Sequence, residues 1–125
     1  MTDSVTKAVR QLTEMGVGHL EDFEILLIMS RQPDGDWSAA RVVASSTITL
    51  AAAETALARL AKRKIVDLGQ ATPPSYRLGG RIDVAQLVQL RNDHERDRTL
   101  VVNTFFKCNL DTLRHFASAF RIWKS

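Results

Sequence analysis

Residues 37–68 read WSAARVVASSTITLAAAETALARLAKRKIVDL, and their punctuation is that of two helices, a tight junction and a strand. Ser38 precedes an apolar run and can cap a short helix through Ser45 or Ser46, because its hydroxyl accepts from N–H groups that a first helical turn leaves unpaired. Thr47 or Thr49 opens the next helix. Within it Ala53, Ala56, Leu57, Leu60 and Ala61 follow i, i+3, i+4, i+7 spacing, an apolar stripe made to face a core. Ile65, Val66 and Leu68 then read as a short strand, Pro73-Pro74 as a loop tip and Tyr76 to Leu78 as a returning strand. Gly79-Gly80 closes the unit.

Upstream, Val5, Ala8, Val9, Leu12 and Met15 recur at helical spacing between a capping Asp3 or Ser4 and a terminating Gly16. Leu20 to Arg31, LEDFEILLIMSR, predicts a largely buried second helix whose acidic first turn suits the positive end of the dipole. The Pro33-Asp34-Gly35 run is a turn with a mechanism: fixed φ, side-chain to backbone bonding, permissive φ. Downstream, Ile82 to Phe106 predicts one long helix, with a break inside 91–98 as the alternative. That stretch, RNDHERDR, has no apolar residue on any face and offers the pairs Arg91–Glu95, Asp93–Arg96 and Glu95–Arg98. Asn109 or Asp111 starts a last helix through Trp123, with Cys108 just before it.

Composition bounds the class. A chain of 125 residues, 45% hydrophobic and 25% charged, predicts one domain over 1–125 with a modest core, neither disordered nor disulfide-built, since Cys108 is the sole cysteine. The N-terminal stretch lacks the apolar core of a secretory leader and no run approaches the ~20 residues of a membrane span. The expectation is a cytoplasmic protein with no membrane partner. Its net charge of +3 divides unevenly: residues 1–80 carry nine basic and nine acidic side chains, so the excess lies in 81–125. Arg59, Lys62, Arg63 and Lys64 nonetheless form a local basic cluster.

The order of helix, short capped helix, junction, alanine-rich helix, strand, loop and strand over Leu20 to Leu78 resembles a winged helix-turn-helix. It looks like regulators of the multiple-antibiotic-resistance type. The resemblance implies a mainly α fold with a small two-stranded wing (α+β): a core at 20–80, with flanking helices at 1–16 and 82–125. It implies Ala44 at the helix crossing, Ile48 as a plug in the turn, and Leu57 and Leu60 against the core. Lys64 departs from the pattern, since many relatives have glycine there to leave the helix with positive φ.

What such a layout commonly does is bind duplex DNA, with the second helix in the major groove and flanking cations on phosphates. Carried across by position, the outward residues are Thr49, Ala51, Ala52, Glu54, Thr55, Ala58, Arg59 and Lys62. The DNA-contacting set is then Thr49, Thr55, Arg59, Lys62, Arg63, Lys64, Arg77 and Arg81. Ala51, Ala52 and Glu54 are weak base readers, which keeps open an alternative: a winged-helix module that docks a protein and not DNA. Five of the eight aromatic residues fall in the last 21 positions, and Phe105, Phe106, Phe116, Phe120 and Trp123 are expected at a homodimer interface.

No enzyme is expected. His19, His94 and His115 are isolated, and no phosphate loop, paired-cysteine motif or nucleophile elbow occurs. Cys108, Asp111 and His115 share a helical side, but a zinc site ordinarily brings three or four ligands at motif spacing. The reading is a buried free thiol and a surface histidine, with no metal and no cofactor. His94, among Asp93, Glu95 and Asp97, reads as part of a solvated charge run.

Overall fold

A computed structural model describes the backbone of residues 2–124 and the side chains of residues 3–111. Within them lie α1 (Thr2–Glu14), α2 (Leu20–Met29), α3 (Ala39–Ala44), α4 (Leu50–Lys62), β1 (Val66–Leu68), β2 (Tyr76–Leu78), α5 (Val84–Arg96) and α6 (Arg98–Lys124). The architecture is mainly helical with one small antiparallel sheet. None of the described helices is long and apolar enough to cross a membrane.

The core is built around α2. Phe23, Ile25, Leu26, Leu27, Ile28 and Met29 are all buried, and a helix apolar nearly all round needs partners on more than one side. It has them in α4 and α5, while α1 lies across α6 and α5. Phe23 and Phe105 meet edge to face, with ring centroids 4.9 Å apart, the geometry favoured by the ring quadrupoles.

Local chemistry sets the boundaries from α3 to the hairpin. Ser38 accepts from the Arg41 N–H at 3.1 Å and Thr49 from the Ala52 N–H at 3.2 Å, so the second of the two candidate openings for α4 is used. The predicted stripe is inward: Ala53, Ala56, Leu57 and Leu60 have no exposed surface, and Ala61 is half-buried against the same core. Ala44 does not occupy the helix crossing. It is exposed, because α3 spans six residues and buries only Val42, leaving the close approach to the alanines of α4.

Helices α1 and α4 end alike. The Val17 N–H donates to the Leu12 carbonyl and the Gly16 N–H to that of Thr13; the Ile65 N–H donates to the Leu60 carbonyl and the Lys64 N–H to that of Ala61. Each is a 6→1 plus 5→2 closure that requires a left-handed residue after the cap. Gly16 adopts φ +108° and Lys64 φ +60°. Lysine therefore takes the conformation for which glycine is suited.

In the hairpin, Val66 faces Leu78 and Leu68 faces Tyr76. Trp37 adds an isolated rung beside β2, exchanging two 2.8 Å backbone hydrogen bonds with Tyr76. Gly79 is the close-approach residue: a Cβ there would lie 2.8 Å from the Ile65 carbonyl oxygen.

The long helix over 82–106 is divided, as the alternative had it, at Asp97. The Asp97 N–H donates to the Asp93 carbonyl at 2.8 Å and its carboxylate accepts from the Leu100 N–H at 3.1 Å. One residue thus closes α5 and caps α6. The expected start near Asn109 or Asp111 is absent, since α6 runs unbroken from Arg98, and Cys108 is buried within it.

Candidate nucleic-acid interface

The outer side of α4 is open: Thr49, Ala51, Glu54, Thr55, Ala58 and Lys62 are exposed and Ala52 half-buried. Thr49 spends its oxygen on the helix cap, while Thr55 is uncommitted among the described hydrogen bonds. Arg59 is the exception on this side. Its Nε donates to Oδ2 of Asp22 and its Nη2 to Oδ1, both at 2.7 Å, a bidentate fork.

Burial gives that pair its character. The Asp22 side chain is 1% exposed and that of Arg59 24%. Asp22 lies in the first turn of α2, where the dipole favours an anion, and Arg59 supplies the counter-charge from α4. The hydrogen bonds to Asp22 hold the guanidinium still further into its charged form. Arg59 is thereby a tie between two helices, turned inward and not toward a groove.

The hairpin cation is also engaged. Arg77 pairs with Asp36 at 2.5 Å, with both side chains more than half exposed. Its hydrogen bond holds the Asp36 carboxyl below the ordinary range. Arg41 stacks 4.0 Å above the Trp37 ring and donates to the Asp36 carbonyl. The hairpin tip carries exposed Pro73 and Pro74 and no charge. Between it, α3 and the start of α4 runs an apolar cleft of about 430 Å³, bordered by Ala39, Leu50, Pro73, Pro74 and Tyr76.

The remaining cations gather where α4 ends. Lys62, Arg63, Lys64 and Arg81 are exposed, and none has a carboxylate partner among the described residues. Arg63 donates to the Gly16 carbonyl and Arg81 to the Arg63 carbonyl at 3.0 Å, which fixes both side chains without cancelling their charge. The eight residues expected to meet DNA thus separate. Thr49, Thr55, Lys62, Arg63, Lys64 and Arg81 remain outward or uncancelled, while Arg59 and Arg77 are taken by carboxylates.

The aromatic set separates too. Phe105 is 1% exposed and belongs to the core of the single chain, whereas Phe106 is 54% exposed, with Leu110 one turn further on at 47%. Phe116, Phe120, Trp123 and also His115 lie outside the residues whose side chains are described.

Sequence reasoning missed His94 and Arg91. The 91–98 stretch is not simply solvated: Asp93 is buried, and Arg98 reaches Glu24 on α2 at 3.5 Å and not Glu95. Only the Asp93–Arg96 pair of the three expected ones forms, at 2.5 Å. Burial depresses the pKa of His94. The lone carboxylate of Asp22 on the apolar side of α2 was the signal available for Arg59; no comparable signal marked His94. No family model, no curated protein and no solved structure matches this chain.

Proposed function

We propose that the chain is a winged-helix protein that binds duplex DNA as a dimeric transcriptional regulator. One observation carries this reading: the outer side of α4 is open along its length and ends in four uncancelled cations, Lys62, Arg63, Lys64 and Arg81. A helix presented in this way fits a major groove, and cations at its end and beside the hairpin fit phosphates. Thr49 and Thr55 are the groove-facing polar side chains. Arg59 is assigned to holding α4 on α2. Exposed Phe106 and Leu110 on α6 support a contact between two copies, which light scattering at micromolar concentration reads directly as twice the monomer mass.

The test is duplex binding as salt is varied. Log affinity should fall against log salt by about 0.9 per phosphate contact. Replacing Lys62→Gln and Lys64→Gly together should flatten that slope by about 2 and leave Arg63 on Gly16. Absence of binding at low salt, or a slope those substitutions leave untouched, overturns the reading.

A second reading has its own support. The apolar cleft beside Leu50, which is 49% exposed, and the uncharged hairpin tip suit a protein ligand better than a phosphate backbone. A chain that ignores DNA at low salt is the outcome this reading expects.

A further inference from the structure

Between α2, the turn joining α3 to α4, and the α5–α6 junction lies a cleft of about 430 Å³, a volume typical of small-molecule sites. Arg31, Arg91, Arg98 and His94 line it, against the carboxylates of Glu24 and Glu95. Arg98 is held by Glu24. Arg91 and His94 are not matched in this way: the Nε of Arg91 and the Nε2 of His94 are both enclosed, and neither has a hydrogen-bond partner.

Unmet donors inside a protein are costly, most of all on a charged group. The Arg91 Nε–H can only donate, and its guanidinium stays protonated, so the atom that completes it must be an acceptor. His94 lies three residues on, at neighbouring helical positions of α5, and can donate from Nε2 as the matching tautomer or as imidazolium. We infer that this cleft binds a small oxyanion, a carboxylate or phosphoryl group, bridging the Arg91 Nε–H and His94 Nε2. Both atoms are enclosed, so an anion reaches them only as rim side chains give way, and Glu95 and Arg98 are the exposed ones there. The inference stands apart from the DNA reading.

The pH dependence follows from the groups that face His94. Burial is the main effect on His94 and depresses its pKa, while Glu24 from α2 and Glu95 on α5 favour its charged form and Arg98 opposes it. Arg31 and Arg91 add positive charge to the cleft. A bound anion favours imidazolium, so it raises the His94 pKa, and an anion that keeps its own charge over that range, as acetate does, binds more tightly as pH falls.

The experiment is an NMR titration of the full chain with sodium phosphate and separately with sodium acetate, against sodium chloride at equal ionic strength. A saturable shift of the His94 ring signals with either oxyanion, and an upward move of its pKa, are expected. Phosphate alone identifies a phosphoryl ligand; both together identify a general oxyanion site. Arg91→Lys keeps the charge and removes the Nε–H, and should weaken binding at least about tenfold. His94→Gln keeps a donor and should retain binding, read at the amides of residues 45–48, while losing the pH dependence that exceeds the anion's own ionisation. No saturable shift up to about 50 mM, or unchanged affinity in a folded Arg91→Lys chain, or unchanged pH dependence in His94→Gln, overturns the inference.

Discussion

Two arginine–aspartate pairs tie the middle of this molecule together, and they differ in almost everything except chemistry. Arg59–Asp22 joins α4 to α2 with two 2.7 Å bonds around a carboxylate that is 1% exposed. Arg77–Asp36 joins the hairpin to the loop before α3 through side chains that are 61% and 57% exposed. Water competes for the second pair and is excluded from one partner of the first. The inner pair therefore fixes how α4 is presented, and it occupies the arginine that the proposed DNA reading would otherwise place in a groove. The outer pair chiefly removes a charge from the hairpin.

The comparison breaks most visibly at Arg59. Arg59→Leu leaves the Asp22 carboxylate buried and alone, which should destabilise the chain by about 3–5 kcal/mol, read as a lowered urea midpoint. Adding Asp22→Leu to that variant removes the orphaned charge and should recover most of the loss. If Arg59→Leu unfolds at the parental midpoint, the pair does not hold the helices and Arg59 is free to serve elsewhere.

A second substitution sharpens the comparison by moving just past the end of α4, from a side-chain tie to a backbone one. Lys64 sits at φ +60° with its own N–H and that of Ile65 closing the helix. A left-handed non-glycine residue is strained by about 1–2 kcal/mol, partly offset by the chain entropy that glycine loses on folding. Lys64→Gly should thus stabilise by about 1 kcal/mol in the same urea titration, and Lys64→Ala should not. Gly16 is the internal control: it occupies the matching position after α1 and already has the permissive residue, while a Cβ there would lie 2.8 Å from Nη1 of Arg63.

These contrasts mark what the sequence could and could not tell. From Leu20 to Leu78 the elements were legible because Ser38, Thr49, the Pro33-Asp34-Gly35 turn and the alanine stripe act over a few residues. Even the departure at Lys64 was visible as a missing glycine. What depends on distant partners was not: Arg59 reads as a surface cation until Asp22, 37 residues away, is seen to need it. Phe105 and Phe106 are neighbours of one type, yet only the first meets Phe23, so aromatic content alone assigned both to an interface. Residues 91–98 misled for a related reason. Their polar composition describes a solvated helix, while the fold turns Asp93 inward and encloses single atoms of Arg91 and His94.

The smallest effect belongs to the outer pair, and its sign can be worked out. Hydrogen bonding to Arg77 depresses the Asp36 pKa in the folded chain, so the ionised form favours folding. That contribution is present above the unfolded carboxyl pKa, about 3.9, and disappears as pH falls through the lower folded value. The matching rise at Arg77 acts only at strongly alkaline pH. Arg77→Ala should therefore leave the urea midpoint within experimental error at high salt, where exposed charges are screened. At low salt and neutral pH a small deficit should emerge and close again below the carboxyl range. A large deficit that survives both salt and acid would mean that the hairpin is held as firmly as α4, and the contrast between the two pairs would fail.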